Sequence, residues 1–546
     1  MKNIILVGLA ISLSMTATLS ATPTVAALGT KNAASYSNPG FPNGSIAQGS
    51  IFVVFGSAMG PDPIQKVAQF PLPTTLAGTS INVTVAGTTV ACPMLYSFAG
   101  QLAAILPSNT PLGTGTLVVS YNGNSNPAPI KVVTSSPGLF TVNQQGSGVA
   151  VMTDNNGAQN ALNFAFNPGQ TVVLWATGLG PITGGDAGLP PTGNIPNVTV
   201  TANIGGKNAT VVYAGRSQSA GQDQINVTLP DGVTGCYVPV YVVAAPAGGP
   251  AVTSNFGTVS IAASGKTCTD PNFPNISSGN GYKFGSVALS RSATTLSLAG
   301  QTLSTTSDVG SGVFYAYDPN YLASAASSST LIDVTNGACT VIQVNGSGGG
   351  NVQLPKALDA GPVLNVTGPN GAKTMTKNQG TYSANFGMTT SFPGAPSSPL
   401  YLDPGNYTVD NGTGGADVGP FKLNLVVPPT FTWTNQNAIT SIDRTQPLQI
   451  TWTGGDPNAQ VLVFGSSSID SSSTVSFFCY AKDSDLQLTV PPAILSLLPV
   501  SAVTAGTPSG GLFVTTNNTV TGTASGLDIL TGTVGFSIPK IGIAYK

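Results

Sequence analysis

The chain has 546 residues, a net charge of −2 and only 7% charged residues, against about 25% in an ordinary soluble domain. So little charge excludes the electrostatic recognition of nucleic acid or of an anionic membrane surface. There is no His, and all 19 acidic residues are Asp. That removes the imidazole-dependent triads and zinc sites and a strong helix former, Glu.

Met1-Lys2-Asn3 is a short positive segment, Ile4 to Leu19 an apolar run, and Val25-Ala26-Ala27 a small-residue cleavage site. This layout predicts a signal peptide over residues 1–27 and a secreted, extracellular or cell-surface location. The apolar run is short for a bilayer span, and no later segment offers about 18 uninterrupted apolar residues. The length corresponds to about three to four domains. The 67 Gly and 42 Pro, with a mean hydropathy of +0.22, read as many short strands joined by turns. The expected fold class is all-β, built from tandem immunoglobulin-like β-sandwich domains.

Residues 28–146 and 147–265 form an internal repeat. The block Gly49 to Pro61, containing Ile51-Phe52-Val53-Val54-Phe55, matches Gly169 to Pro181, containing Thr171-Val172-Val173-Leu174-Trp175. Ile81, Val83, Val85 and Gly87 match Val200, Ala202, Ile204 and Gly206. Gly100 to Pro107 matches Asp223 to Pro230. Ile81 to Val85 alternates apolar and polar residues, as a half-buried strand does. Ile51 to Phe55 is apolar throughout, as in a strand buried on both faces. Pro137 to Phe140 begins the crossing between the repeats.

There are five Cys and no CxxC pair, so a cysteine zinc site is not expected and disulfides are. A hairpin after Cys236 brings Cys268 near it, and a Cys236–Cys268 disulfide is predicted. Cys92 has no partner within its unit and is expected to be free. Cys339 and Cys479 fall in different proposed units, so their pairing is open. Residues 266–282 read as a linker. A β-rich domain follows over 283–429, with strands at Thr330–Val334, Cys339–Val344 and Phe421–Val427 and a loop tip at Gly346–Gly350. Pro428-Pro429 marks a boundary. A last β-sandwich spans 430–546, with strands at Leu448–Trp452 and Val461–Phe464 and Trp452 in its core.

About residues 28–270 resemble a secreted domain family abundant in acidobacterial genomes. The resemblance rests on Asn32 to Tyr36, the Phe55-Gly56 turn, Leu72 to Gly78, Gln224 to Pro230, Gly235-Cys236 with Val238-Pro239-Val240, and Cys268. It implies a secreted, immunoglobulin-like domain and carries no activity and no site residues. In that family the domain usually stands at the C-terminus, whereas here it is N-terminal.

No catalytic residue is nominated and no cofactor or metal is expected. No Gly-x-Ser-x-Gly elbow, Walker loop or dinucleotide fingerprint occurs. Calcium needs only oxygen ligands. Asp154 to Gly157, and Asp403, Asp410 and Asp417, are the segments compared with it; neither has EF-hand spacing, and ordinary turn chemistry accounts for both. Asp483 and Asp485 on one strand face are the carboxylates weighed for a glycosidase pair. Arg216, Arg291 and Arg444 are too scattered for a basic stripe. What remains is a non-catalytic adhesion or binding module for an extracellular protein or glycan, with Tyr96, Tyr213, Tyr401 and Tyr407 as the aromatic residues weighed for sugar stacking, each against the more frequent role of packing within a strand. A structural spacer is the alternative, and an Asp-dependent glycoside hydrolase the remote one.

Overall fold

The computed structural model describes residues 21–269, 281–298, 301–318, 337–345, 355–392, 394–470, 473–504 and 506–546. Thr330–Val334, Gly346–Gly350 and most of the expected linker lie outside them. Strand makes up 54% of the structure and helix 2%, so the chain is all-β, as Asp-only acidity and dense Gly/Pro turns imply. No helix among the described residues is long and apolar enough to cross a membrane.

Repeat 1 is a two-sheet sandwich. Its principal strands are β1 (Thr24–Asn32), β2 (Ile51–Ser57), β3 (Thr79–Val85), β4 (Met94–Ser97), β5 (Gln101–Ile105), β6 (Gly113–Ser120) and β7 (Ala128–Val133). One sheet runs β1-β2-β5-β4, and the other contains β7-β6-β3. Alternation decides the core: Ile81, Val83 and Val85 point inward to meet Phe52, Val54, Leu102 and Leu117. Strand β1 starts inside the expected leader. Val25 is buried in the same core, pairs with Gly56, and its N–H donates to Asn126 Oδ1 at 3.2 Å. Residues 24–27, placed in the leader by the sequence reading, are thus part of this strand.

Repeat 2 contains β8 (Thr171–Thr177), β9 (Val198–Ile204), β10 (Lys207–Arg216), β11 (Asp223–Thr228), β12 (Gly235–Pro246) and β13 (Gly257–Ile261), in the order β8-β11-β10-β9-β12, with β13 on β12. The sequence match holds down to register. In repeat 1, Ile51, Phe52, Val53, Val54 and Phe55 pair with Ile105, Ala104, Ala103, Leu102 and Gln101. In repeat 2, the matched Thr171, Val172, Val173, Leu174 and Trp175 pair with the matched Thr228, Val227, Asn226, Ile225 and Gln224. Cys236 and Cys268 are disulfide-bonded. Cys92 is free and buried, and burial pushes its thiol pKa up, away from reactivity.

Residues 282–546 do not divide at Pro428-Pro429. The strands here are β14 (Tyr282–Leu298), β15 (Gln301–Tyr317), β16 (Cys339–Asn345), β17 (Val363–Gly368), β18 (Gly371–Asn378), β19 (Thr381–Thr390), β20 (Gly405–Asp410), β21 (Lys422–Val427), β22 (Leu448–Thr453), β23 (Gln460–Ser468), β24 (Ser473–Lys482), β25 (Gly510–Gly522) and β26 (Ile529–Tyr545). All but β22 belong to one sheet, ordered β16-β24-β23-β25-β26-β14-β15-β19-β18-β17-β20-β21. The last strand, β26, pairs in parallel with β14 from Phe284↔Ile529 to Thr295↔Lys540, which welds the expected 283–429 and 430–546 domains together. β16 crosses to pair with β24, placing Cys339 opposite Cys479 in a second disulfide. Trp452 is 1% exposed in the core, and its indole Nε1–H donates to the Asp483 carbonyl at 2.9 Å. Phe41, Tyr241 and Phe256 of the N-terminal half join this core, and the Gln343 side-chain amide donates to Asn43 Oδ1 across the junction at 2.9 Å.

Candidate functional site

The apolar run of β2 explains where a site forms. Phe52 and Val54 face the repeat 1 core. Ile51, Val53 and Phe55 point the opposite way, together with Ala33, Tyr36, Leu95, Tyr96 and Ala103. A sheet with two apolar faces must be covered on both. Repeat 2 covers only part of the outer face. Its Ala220 packs on Ile105, and the Ile51 N–H donates to Thr177 Oγ1 at 2.9 Å. The uncovered part is the floor of a cleft of about 480 Å³. Ala33, Tyr36, Val53, Tyr96 and Ala103 contribute from the body of repeat 1, Phe140, Thr141 and Gln144 from the crossing between the repeats, and Gln159, Trp175 and Gln222 from repeat 2.

The two walls are locked in place by buried polar contacts. Arg216 and Asp223 form an ion pair with both side chains fully buried. The other guanidinium arm, Nη2, donates to the carbonyls of Gly49 at 2.7 Å and Gly180 at 2.8 Å, so one side chain ties repeat 2 to repeat 1. Gly49 sits at φ +69°, and a Cβ there would collide with Arg216 Nη2; no larger residue fits. The Leu179 N–H donates to the second Asp223 oxygen at 2.8 Å. Asp186 accepts from the N–H and hydroxyl of Ser108, each at 2.7 Å.

Within the cleft, Trp175 donates its indole N–H to Thr153 Oγ1 at 3.1 Å, which fixes the ring while leaving it half-buried. Tyr36 stands 6.2 Å from Phe55, ring centre to ring centre. Burial pushes the Tyr96 phenol up to about 12, with Tyr36 raising it further and a hydrogen bond from Gln101 opposing. Both hydroxyls are therefore neutral donors at any ordinary pH. Gln222 Oε1 accepts from Ser217 Oγ at 3.0 Å. Gln144 and Gln159 are exposed at the rim.

Of the four tyrosines weighed from sequence, only Tyr96 lines this cleft. Tyr213 is half-buried on β10, its hydroxyl donating to the Arg216 carbonyl at 2.7 Å. Tyr401 and Tyr407 are core residues, 2% and 1% exposed, their rings 5.7 Å apart, which is the packing role weighed against stacking. Tyr36, Phe140 and Trp175 are the aromatic residues the sequence reading did not nominate. Trp175 had a signal, since it lies in a matched block at the position of Phe55, where a strand with two apolar faces meets its neighbour.

The remaining candidates separate. The Asp154 carboxylate accepts from the N–H groups of Asn156 and Ala158, each at 2.9 Å, which makes it a turn. Asp403 accepts from Asn370, Asp410 from Asn365 and Gly412, and Asp417 from the Asp359 N–H, each at 2.9 Å, in three different places. No cluster of three metal-ligating side chains occurs among the described residues. Asp483 and Asp485 do not share a strand face. They lie in a 3-10 turn that ends at Leu486 with φ 55°, and the turn buries Asp483 while leaving Asp485 exposed. Neither carboxylate oxygen of Asp483 has a hydrogen-bond partner, and burial pushes that carboxyl up to about 6, with the charge of Asp456 also raising it. The three Arg side chains are all engaged: Arg216 with Asp223, Arg291 with Asp308 at 2.7 Å, and Arg444 with the Leu498 carbonyl at 2.7 Å.

No protein-family model matches the chain, and no curated protein matches it. Among solved structures, one described as an anomalous substructure of titin A168–A169 is 12% identical, covers 40% of this chain and 93% of its own, and has a TM-score of 0.12, too low to bear on function.

Proposed function

We propose that the protein is a secreted, non-catalytic binding module that takes its ligand in the cleft between repeats 1 and 2. The observation that supports this reading is that cleft: a preorganised, aromatic-floored depression of about 480 Å³ whose walls are held by a buried ion pair rather than by surface contacts. Ligand sites are concave, mostly apolar and equipped with a few polar groups, and a rigid scaffold lowers the ordering cost of binding. The lining of the cleft supports a non-catalytic role, since neither Asp483 nor Asp485, the carboxylates weighed for hydrolysis, is part of it.

The test is a screen of the mature chain against extracellular glycan and protein arrays, beside a Trp175→Ala, Gln159→Ala double variant with an unchanged circular dichroism spectrum. Hits that disappear in the variant support the module. A blank screen supports the alternative, a structural spacer, which the continuous sheet from β16 to β21 and the Cys339–Cys479 clip equip to transmit load. Turnover of a polysaccharide that is lost on a single Asp→Asn change would revive the hydrolase reading.

A further inference from the structure

Resting on that reading, we infer that the cleft takes a neutral oligosaccharide, stacked on Tyr36, Tyr96 and Trp175 and hydrogen-bonded by the Gln144, Gln159 and Gln222 amides. Three observations carry this choice of ligand class.

First, no Asp, Lys or Arg lines the cleft. Lys31 shares the outer sheet face, since it pairs with Val53, but it stands outside the cleft wall and its burial lowers its pKa. An anionic sugar would lose hydration on entering without meeting a compensating charge. Second, the polar groups present are carboxamides and phenols. Each amide both donates and accepts, which matches hydroxyl groups that do the same. The Gln144 and Gln159 side chains stand at the rim, where ring substituents would project. Third, the platform consists of partly exposed rings, Tyr96 and Trp175 on strands and Tyr36 just after the turn that follows β1. Such rings offer apolar faces to the C–H faces of a sugar and cost little side-chain entropy. The volume of about 480 Å³ accommodates roughly two to three sugar residues.

The site contains its own reporter. Of three Trp, Trp433 and Trp452 are buried at 4% and 1% exposure, so a ligand-induced change in tryptophan emission reads Trp175. The mature protein is titrated with cellohexaose, xylohexaose, mannohexaose and laminarihexaose, and in parallel with hexagalacturonate and a proline-rich peptide. The expected result is a saturable emission change with at least one neutral hexasaccharide, absent in Trp175→Phe. By calorimetry, Tyr96→Ala weakens the same binding about tenfold, and Gln144→Ala and Gln159→Ala, both at exposed positions, weaken it about threefold each. If only the anionic sugar or the peptide shifts the emission, the neutral-glycan assignment falls and the binding module stands. If neutral sugar binds undiminished in all four variants, the cleft is the wrong site and the inference falls. If no probe shifts the emission and the arrays are blank, the inference and the binding-module reading fall together.

Discussion

Repeats 1 and 2 share a register residue for residue, yet their outward faces differ. On β2 and β5 the outward positions are Ile51, Val53, Ala103 and Ile105; on β8 and β11 the matched positions are Thr171, Val173, Asn226 and Thr228. The inward positions stay apolar in both, with Phe52 and Val54 against Val172 and Leu174. The duplicated core preserves the fold, and the diverged face makes repeat 1 a platform on which repeat 2 sits. A second difference follows the same line. Repeat 2 has Asp223 where repeat 1 has Gly100, and Asp223 anchors the arginine that reaches Gly49. Repeat 2 also holds the disulfide, whereas the Cys of repeat 1 is free.

Breaking the buried ion pair attacks this comparison at its strongest point. Asp223→Ala is expected to cost about 3–5 kcal/mol, since it leaves the Arg216 charge buried and unpaired. Gly100→Ala, at the matched position, is expected to cost under about 1 kcal/mol, because a Cβ there meets only the Phe98 ring at 3.6 Å. Urea denaturation of both variants measures the difference, and comparable losses would show that the two repeats are fastened alike.

Removing the Cys236–Cys268 bond by paired Ser substitution should destabilise by about 3–4 kcal/mol for a 32-residue separation, on the chain-entropy account. Cys92→Ser should cost about 1–3 kcal/mol, because it places a hydroxyl without a partner in the repeat 1 core. Thermal melts with and without reductant read the contrast: reductant should lower the wild-type midpoint by more than that of the paired variant, which retains only the Cys339–Cys479 bond.

Exchanging the outward residues sharpens the comparison further. Ala103 is 2% exposed, so Ala103→Asn buries an amide against Val53 and should cost about 1–3 kcal/mol. Asn226 is half-buried and its Oδ1 accepts from Gln224 at 2.9 Å. Asn226→Ala should stay within about 1 kcal/mol. Equal effects on the melting temperature would contradict the division into platform and polar face.

The smallest expected effect contrasts two buried aspartates. Asp223 has its arginine, while neither carboxylate oxygen of Asp483 has a hydrogen-bond partner. The Asp483 carboxyl titrates at about 6 in the folded state, raised from 3.8 chiefly by burial. Its contribution to stability is therefore fully present below pH ~4 and is lost as pH rises through about 6. Asp483→Asn should leave the midpoint of unfolding unchanged at pH 4 and raise it by about 1 kcal/mol equivalent at pH 8. The opposite sign at pH 8 would mean that the ionised carboxylate is stabilised where it lies.

The sequence by itself determined the all-β class, the duplication and its register, because alternation and turn residues act over a few positions and leave a readable period. It also marked β2 as buried on both faces, which is the origin of the cleft. It left open what covers that second face, because the cover comes from Thr177 and Ala220, more than a hundred residues along the chain. Whether Tyr401 and Tyr407 pack in a strand or face a ligand was not legible, because a tyrosine suits both places. In the fold, packing against Phe386 and each other buries them. The Cys339–Cys479 bond and the parallel pairing of β14 with β26 were beyond local reading for one physical reason. Backbone hydrogen bonds between strands are chemically the same whichever strands they join. Which edges meet in the long sheet is therefore decided by the packing of whole faces, and that exists only once the chain has folded.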